Sequence, residues 1–228
     1  MAVKAESIAK RYFRKTGGAN YFYAVKPLTL EIEAGEVAVL TGRSGSGKTT
    51  LLNMLSGLLA PTEGRVWIDS TDMYSLDDRA LSRLRGERIG VVPQGRSAID
   101  TLTVLENILL PAKLYGRPLP VEAASRWMER LDIANLRDAR PAELSGGELR
   151  RMAIVRALAH SPDILFADEP TGDLDDENTR LVLSAFQAYA RQQGKAVFIV
   201  THENDAFHYA DRLYRMDEGQ IAPIPPAE

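Results

Sequence analysis

Residues Gly42 to Thr49 read GRSGSGKT and match the pattern G-x-x-x-x-G-K-[ST], a loop whose backbone N–H groups hold the phosphates of a nucleotide. The stretch before the loop, 36–41 (EVAVLT), is apolar and β-branched and predicts a buried strand. The stretch after it, 48–57, carries apolar residues at helical spacing and predicts a helix. Strand, glycine loop and helix in this order direct the positive end of a helix dipole at an anion. The stretch therefore predicts a binding site for a nucleoside triphosphate.

The residues of this loop have distinct expected tasks. Its glycines allow backbone N–H groups to turn inward, because no Cβ stands in the way. Lys48 is expected to reach the β- and γ-phosphates, and Thr49 is expected to offer its hydroxyl to Mg²⁺. The predicted nucleotide-binding residues of the loop and of the turn after it are Gly42, Ser44, Gly45, Ser46, Gly47, Lys48, Thr49 and Thr50.

The composition limits the classes of protein to which the chain can belong. At 228 residues it can build one or two domains, and its hydrophobic fraction of 45% and charged fraction of 26% are ordinary for a globular protein. A net charge of −3 argues against a nucleic-acid partner bound through a broad basic face. No apolar run approaches the length of a membrane span, and residues 1–10 lack the apolar core of a signal peptide. With no cysteine, thiolate metal sites are excluded and a cytoplasmic location is expected.

The order of predicted elements indicates an α/β fold with a mainly parallel core sheet, because strands alternate with helices over much of the chain. A stretch with helical patterns and little strand signal, 95–161, is predicted to be an insertion into that core. The end of the chain, 223–228, is rich in proline and is predicted to be a disordered tail. Strands are predicted at 3–11, 23–33, 36–41, 65–69, 89–92, 164–167, 196–200 and 212–216, the last of these being the final strand. Helices are predicted at 48–57, 75–84, 121–131, 145–160, 177–193 and 204–210, with Trp127, Met128 and Leu131 in the core.

Two carboxylates, Asp168 and Glu169, follow the apolar strand 164–167. In a parallel sheet, ligands bind beyond the carboxyl ends of the strands. Asp168 is therefore expected to hold Mg²⁺ near the phosphate loop, and Glu169 to accept a proton from an attacking water. By itself the pair is equally compatible with solvated acidic residues at a strand end, and it is the phosphate loop that favours the catalytic interpretation.

A second helix start, Leu144–Glu148 (LSGGE), combines two signals. Ser145 and Glu148 fit the S-x-x-E capping box, which needs no function beyond starting a helix. Capping does not require Gly146 and Gly147, which lower helix propensity but leave the N–H groups of the first turn accessible to an anion. One chain with two phosphate-binding helix starts suggests that two chains share a nucleotide.

Two polar residues follow other predicted strands. His202 comes directly after 196–200 and is expected to meet the γ-phosphate, although a lone histidine is more often only a polar residue with a hydrogen bond. Gln94 follows 89–92, where its amide is expected to reach the metal or the water.

Taken together, these residues resemble the ABC-type ATPase domain over nearly the whole chain. Six motifs occur in the order of that family: Walker A (42–49), the Q-loop (Gln94), the signature (144–148), Walker B with its glutamate (164–169), the D-loop (172–175) and the switch histidine (His202). The resemblance implies a head-to-tail dimer with two ATP molecules between Walker A of one subunit and the signature of the other. A heterodimer stays open, and the complete set of motifs favours a homodimer. Catalysis is then expected from Glu169, His202 and Gln94, and Mg²⁺ binding from Thr49, Gln94 and Asp168.

The resemblance also implies further contacts to ATP. Ser145 and Gly147 are expected to touch the γ-phosphate of the partner's nucleotide. Tyr12 is expected to stack on adenine, with Tyr21, Phe22 and Tyr23 as nearby alternatives. The predicted ATP-binding set outside the phosphate loop is Tyr12, Ser145, Gly146, Gly147, Glu148 and Asp175.

The fold implied is a P-loop NTPase of ABC type forming a single domain, 1–222. Its core, 1–94 and 162–222, is expected to carry an N-terminal antiparallel β subdomain, and 95–161 a helical subdomain that contains the signature.

Three stretches, 44–57, 101–111 and 167–175, are similar to the branch of lipoprotein-releasing, macrolide-exporter and cell-division ATPases. This likeness implies a transmembrane permease as partner, contacted through the region after Gln94, and a peripheral place on the inner face of the cell membrane. The chain departs from that branch at Pro93, at 95–98 (GRSA) and at Leu149, where glutamine is common. A regulatory module without solute transport is the alternative, whereas a small-molecule kinase would not need the signature.

Overall fold

The structure, a computed structural model, describes residues 2–14, 20–116 and 120–225. Its strands are β1 (Val3–Arg14), β2 (Asn20–Ile32), β3 (Val37–Gly42), β4 (Glu63–Ile68), β5 (Thr71–Asp72), β6 (Ile89–Val92), β7 (Ile164–Asp168), β8 (Ala196–Val200), β9 (Arg212–Asp217) and β10 (Gln220–Ile224). Its α-helices are α1 (Lys48–Leu55), α2 (Asp78–Arg88), α3 (Val104–Leu114), α4 (Val121–Arg130), α5 (Gly146–Leu158) and α6 (Asp176–Gln193). Short 3₁₀ helices lie at Met73–Ser75, Ala134–Leu136, Pro141–Glu143 and Asn204–Tyr209.

The strands form two sheets. A six-stranded sheet has the order β10-β9-β3-β8-β7-β6, and all of its pairings are parallel except the β9–β10 hairpin. A four-stranded antiparallel sheet has the order β2-β1-β4-β5. The predicted fold class, a mainly parallel core with an N-terminal antiparallel sheet and helices, is confirmed.

The central strands are buried on both faces, which explains their continuous apolar sequences. Alternate residues of each strand enter two cores. On one face, Phe166 and Phe198 meet edge to face, with ring centroids 6.1 Å apart, in the core that also contains the apolar side of α1. On the other face, Leu165 and Val197 pack in the core formed with α5 and α6.

The helical region lies between β6 and β7, as predicted, and contains α3, α4 and α5. The predicted core residues Trp127, Met128 and Leu131 are buried. Trp127 also contacts Tyr189 of α6, at 5.8 Å between ring centroids, so the region shares one apolar core with the parallel sheet. Among the described residues, no helix has the length and the apolar run needed to cross a bilayer.

The end of the chain differs from the prediction. The strand expected to be last, β9, is followed by β10, in which Pro223 lies opposite Tyr214 and Ile224 opposite Leu213. The predicted disordered tail is therefore wrong for these two residues. Proline is tolerated here because β10 is an edge strand, where a missing N–H breaks no ladder on the open side. The remainder of the predicted tail, 226–228, falls outside the described residues.

The loop after β6 is fixed by one buried side chain, Asn107 of α3. Its amide nitrogen donates to the carbonyl oxygens of Ile99 (3.1 Å), Leu102 (3.2 Å) and Thr103 (2.9 Å), and its side-chain oxygen accepts the N–H of Ile99 (2.8 Å). Thr103 and Glu106 form a capping box at the start of the same helix. Asn107 thus replaces the backbone partners that an irregular segment lacks.

Replacing Asn107 with alanine should lower the free energy of unfolding by about 2–4 kcal/mol, because buried backbone groups of the loop lose their partner. Urea denaturation followed by circular dichroism measures the change. Lys113→Ala, an exposed position on the same helix, is the control and should change stability by less than about 0.5 kcal/mol. An Asn107→Ala protein as stable as the control would contradict this role.

Candidate functional site

The phosphate loop connects β3 to α1 and is compressed between two backbone carbonyls. A Cβ added at Gly42 would lie 2.2 Å from the carbonyl oxygen of Met216, and one at Gly47 would lie 2.2 Å from that of Ala24. Gly47 also has φ +109°, which side chains rarely adopt. Glycine is therefore required at both positions, because β9 and β2 press directly on the loop.

The loop forms one wall of a cavity of about 820 Å³. All eight predicted nucleotide-binding residues of the loop and of the turn after it line this cavity, together with Arg43. Gln94, Asp168, Glu169 and His202 line the same cavity, so the structure brings together the residues expected from four separate strand ends. The cavity is also lined by Phe22, Tyr23, Ala24, Lys26, Glu218 and Gly219.

The loop offers donors that suit a phosphate. The Nζ of Lys48 donates to the carbonyl oxygens of Gly42 (2.8 Å) and Arg43 (3.0 Å), which holds the ammonium group across the mouth of the loop. The buried Oγ of Ser46 has no hydrogen-bond partner among the described residues. A buried hydroxyl without a partner beside a helix start and an ammonium group fits an anionic ligand.

The residues beside the loop also fit Mg²⁺. The carboxylate of Asp168 is buried, and it accepts a hydrogen bond from the hydroxyl of Thr49. Burial raises the pKa of Asp168, and the hydrogen bond from Thr49 opposes this rise. Within the described ranges, no three His, Asp or Glu side chains are grouped to hold a metal by themselves. The donor set therefore suits an ion held jointly by protein oxygens and phosphate oxygens, as Mg²⁺ commonly is.

Glu169 is oriented from the end of β8. Its N–H donates to the carbonyl of Val200 (2.8 Å), and its Oε2 accepts hydrogen bonds from the hydroxyl of Thr201 (3.1 Å) and the N–H of His202 (3.4 Å). Its Oε1 lies 3.0 Å from Nδ1 of His202. This hydrogen bond raises the pKa of the His202 imidazole above its ordinary value. The carboxylate is thus held by three contacts at the floor of the cavity.

The signature lies outside this cavity. Ser145 caps α5, where its Oγ donates to Oε2 of Glu148 (2.8 Å) and accepts the N–H of Glu148 (3.3 Å). The predicted capping box is therefore confirmed, and the backbone hydrogen bond from Ser145 lowers the pKa of Glu148. Of the described residues that line the cavity, none is Ser145, Gly146, Gly147 or Glu148. The signature and the phosphate loop of one chain therefore do not line the same cavity.

Two further predicted ATP-binding residues also lie outside the cavity lining. Asp175 caps α6 by accepting the N–H of Asn178 (2.8 Å), and this hydrogen bond lowers the pKa of Asp175. Tyr12 of β1 lies opposite Phe22 of β2, with ring centroids 6.0 Å apart. In the described part of the chain the aromatic side chains on the cavity are Phe22 and Tyr23, so Tyr12 approaches it only through Phe22.

Several residues of the site were missed by the sequence analysis: Lys26 and Glu218 line the cavity, and Thr201 contacts a lining residue. Thr201 holds Glu169, and its place directly before His202 at a strand end was a usable signal. Lys26 and Glu218 gave no local signal, because they reach the cavity only through contacts between distant segments. The N–H of Gly219 donates to the carbonyl of Ser46 (3.0 Å), and the N–H of Lys26 donates to the carbonyl of Gly219 (2.8 Å). The β9–β10 turn thereby joins β2 to the phosphate loop.

Comparison with known proteins agrees with this geometry. The sequence profile of the family described as ABC transporter matches residues 25–172. The lipoprotein-releasing system ATP-binding protein LolD 1 of Chlorobium chlorochromatii is 37% identical over 86% of this chain and 80% of its own length. The macrolide export ATP-binding/permease protein MacB of Rhodopirellula baltica is 39% identical over 87% of this chain, which spans 30% of MacB. The predicted resemblance to lipoprotein-releasing and macrolide-exporter ATPases is confirmed.

The structure of a third relative is known. The uncharacterized ABC transporter ATP-binding protein MJ0796 of Methanocaldococcus jannaschii is 37% identical over 96% of this chain and 94% of its own length. A dimeric structure of the MJ0796 cassette in a post-hydrolysis state, bound to ADP and Pi, superposes with a TM-score of 0.90 over 99% of this chain and all of that one, at 32% identity. The chain therefore belongs to the ABC transporter family and is one of its ATPase cassettes.

Proposed function

We propose that this cassette is the motor subunit of a membrane complex. Two copies close head to tail around two Mg-ATP molecules and drive a separate permease of the kind that exports a solute or transmits motion across the membrane. The observation that carries the proposal is the cavity in which the phosphate loop, Asp168, Gln94 and the Glu169–His202 pair meet while the signature lies outside it. The relatives named for lipoprotein release and macrolide export support the same role.

The separation of the two anion sites supports a dimer. The first turn of α5 has a capped start and open space at Gly146, where a Cβ would meet nothing within 4 Å. A second chain placed head to tail brings this start over the phosphate loop of the first, so that Ser145 and Gly147 contact the γ-phosphate in trans. The MJ0796 cassette, which is described as dimeric, supports this arrangement.

Hydrolysis follows from the residues at the cavity floor. Lys48 exchanges its contacts with the loop carbonyls for the β- and γ-phosphates, and Ser46 gains a partner for its buried hydroxyl. Thr49, Asp168 and Gln94 would hold Mg²⁺, which would neutralise charge on the phosphate oxygens. Glu169 receives the proton of a water whose oxygen bonds to the γ-phosphorus as the bond to the β–γ bridging oxygen breaks. His202 keeps the Glu169 carboxylate oriented and contacts the γ-phosphate.

The nucleobase is placed by the β1–β2 pair. Tyr12 and Phe22 lie side by side on one face of this sheet, and Phe22 lines the cavity. Adenine stacks against this face, because base–aromatic stacking needs only an accessible ring.

The membrane partner docks on the region after Gln94, which places the complex at the inner face of the cell membrane. Ile99 in this region is 43% exposed, although Asn107 holds its backbone firmly. A rigid loop with an exposed apolar side chain suits contact with a partner.

The Glu169→Gln variant should bind ATP normally but hydrolyse it about 10²–10⁴-fold more slowly, because the amide cannot accept the proton. A phosphate-release assay measures the rate, and gel filtration with Mg-ATP should show a dimer that the unmodified protein forms only transiently. Hydrolysis at the normal rate would show that the base is another residue.

Mixing two inactive variants tests the shared sites. Lys48→Ala removes the phosphate-loop lysine, and Ser145→Arg blocks the signature, so each homodimer has no intact site. An equal mixture should recover up to about a quarter of the unmodified rate. About half of all dimers in it are heterodimers, and each heterodimer has one intact site out of two. No recovery at any mixing ratio would contradict the head-to-tail arrangement.

Affinity purification tests the membrane partner. Tagged Glu169→Gln protein with ATP should recover a polytopic protein in stoichiometric amount from detergent-solubilised membranes of the native cell. Adding Ile99→Glu to the same protein should abolish recovery while ATP binding persists, since a charge replaces the exposed apolar contact. Recovery of a soluble protein, or of none, would favour a regulatory module.

A further inference from the structure

Helix α5 carries three arginines that the hydrolysis scheme does not use. Arg150 and Arg151 are 6% and 7% exposed, and burial lowers the pKa of the third, Arg156. Arginine is rarely buried without partners, so each needs an explanation. Arg151 bonds to the side-chain oxygen of Asn178 at the start of α6. The other two bond to the segment 93–97, which contains Gln94.

Arg150 holds the front of that segment. Its Nη1 donates to the carbonyl oxygen of Pro93, the residue directly before Gln94, at 2.8 Å. Its Nη2 lies 3.5 Å from the carboxylate of Asp173 in the loop after β7. One planar guanidinium group thus bridges the chain at Gln94 and the D-loop, which a single-point cation such as lysine cannot do with the same geometry.

Arg156 holds the rear of the segment. Its Nη1 donates to the carbonyl oxygen of Ser97 at 2.8 Å, and its Nη2 contacts the Oγ of Ser97 at 2.5 Å. Gln94 therefore lies between two residues, Pro93 and Ser97, that are hydrogen-bonded to arginines of the same helix. A small cavity of about 100 Å³ separates residues 95–98 from the first turns of α5. The contact between this part of the segment and α5 therefore depends largely on the hydrogen bonds of the arginine side chains.

We propose that Arg150 is a positioning residue for Gln94. It fixes the position of Gln94 by binding the carbonyl oxygen of Pro93 and the carboxylate of Asp173. The proposal rests on the proposed function, in which Gln94 is a ligand of Mg²⁺. Because α5 opens with Ser145, a movement of the signature towards the partner's nucleotide is transmitted through Arg150 to Gln94.

The test compares ATP affinity with and without Mg²⁺ by isothermal titration calorimetry, in Glu169→Gln protein that does not turn over. Arg150→Gln should reduce the strengthening of ATP binding by Mg²⁺ by about tenfold or more, as loss of a group that orients a metal ligand typically does. ATP affinity without Mg²⁺ should stay unchanged. In a Gln94→Ala background, Arg150→Gln should add no further loss, because both changes act on the same ligand.

Arg151→Gln is the matched control, since Arg151 is equally buried on the same helix but contacts Asn178. It should leave the Mg²⁺ effect unchanged even if it lowers the melting temperature. Equal losses from Arg150→Gln and Arg151→Gln, or additive losses from Arg150→Gln and Gln94→Ala, would overturn the proposal.

A second measurement separates this proposal from the proposed function. In nucleotide-free protein, Arg150→Gln should shift or broaden the backbone amide signals of Gln94 and Gly95 in ¹H–¹⁵N spectra, and Arg151→Gln should not. If Gln94→Ala alone leaves the Mg²⁺ effect unchanged, the metal role of Gln94 fails and these signals decide the positioning. Unchanged signals in Arg150→Gln would overturn it.

Discussion

The register of the parallel strands is the constraint on which the site depends. Leu40 of β3 and Asp168 of β7 both lie beside Val200 of β8, and Val92 of β6 lies beside Ala167. Each strand therefore ends at the same edge of the sheet, and the next residues along each chain segment are the phosphate loop, Glu169, Thr201 and Pro93. A shift of any strand by one residue would turn its side chains to the other core and remove its functional residue from the edge.

The same register explains how the Glu169 carboxylate is oriented. Its N–H donates to Val200 as if β7 continued for one more residue, while φ of +48° turns the chain away from the sheet. Thr201 and His202 then supply hydrogen bonds to both carboxylate oxygens. Because residues that follow the neighbouring strand orient this carboxylate, it is preorganised for the proposed role of accepting a proton from water.

What could be predicted from the sequence was what a single segment encodes. The phosphate loop, the capping box of Ser145 and Glu148, and the polar residues after apolar strands were identified because each signal lies within a few residues. The lining residues that come from β2 and the β9–β10 turn could not be found in this way. Lys26 and Glu218 belong to segments almost two hundred residues apart, and the hydrogen bonds of Gly219 join these segments beside the phosphate loop. Likewise, the proline-rich end predicted disorder, whereas an edge position lets Pro223 join a strand.

The arginines of α5 could not be interpreted from the sequence, because their role depends on which distant residues their side chains contact. Spacing predicted a helix here, but it did not predict that Arg150 and Arg151 are buried and Arg156 half-buried. Two of these arginines bond to the segment 93–97, and the third bonds to the start of α6. An apolar helix packed at the same place would tolerate small displacements of those loops, because dispersion contacts are non-directional. Hydrogen bonds to the carbonyls of Pro93 and Ser97 are directional and therefore do not tolerate such displacements. A movement of α5 would therefore displace the segment 93–97 as well. This is the mechanical property that the proposed motor requires of a helix with an anion site at its start.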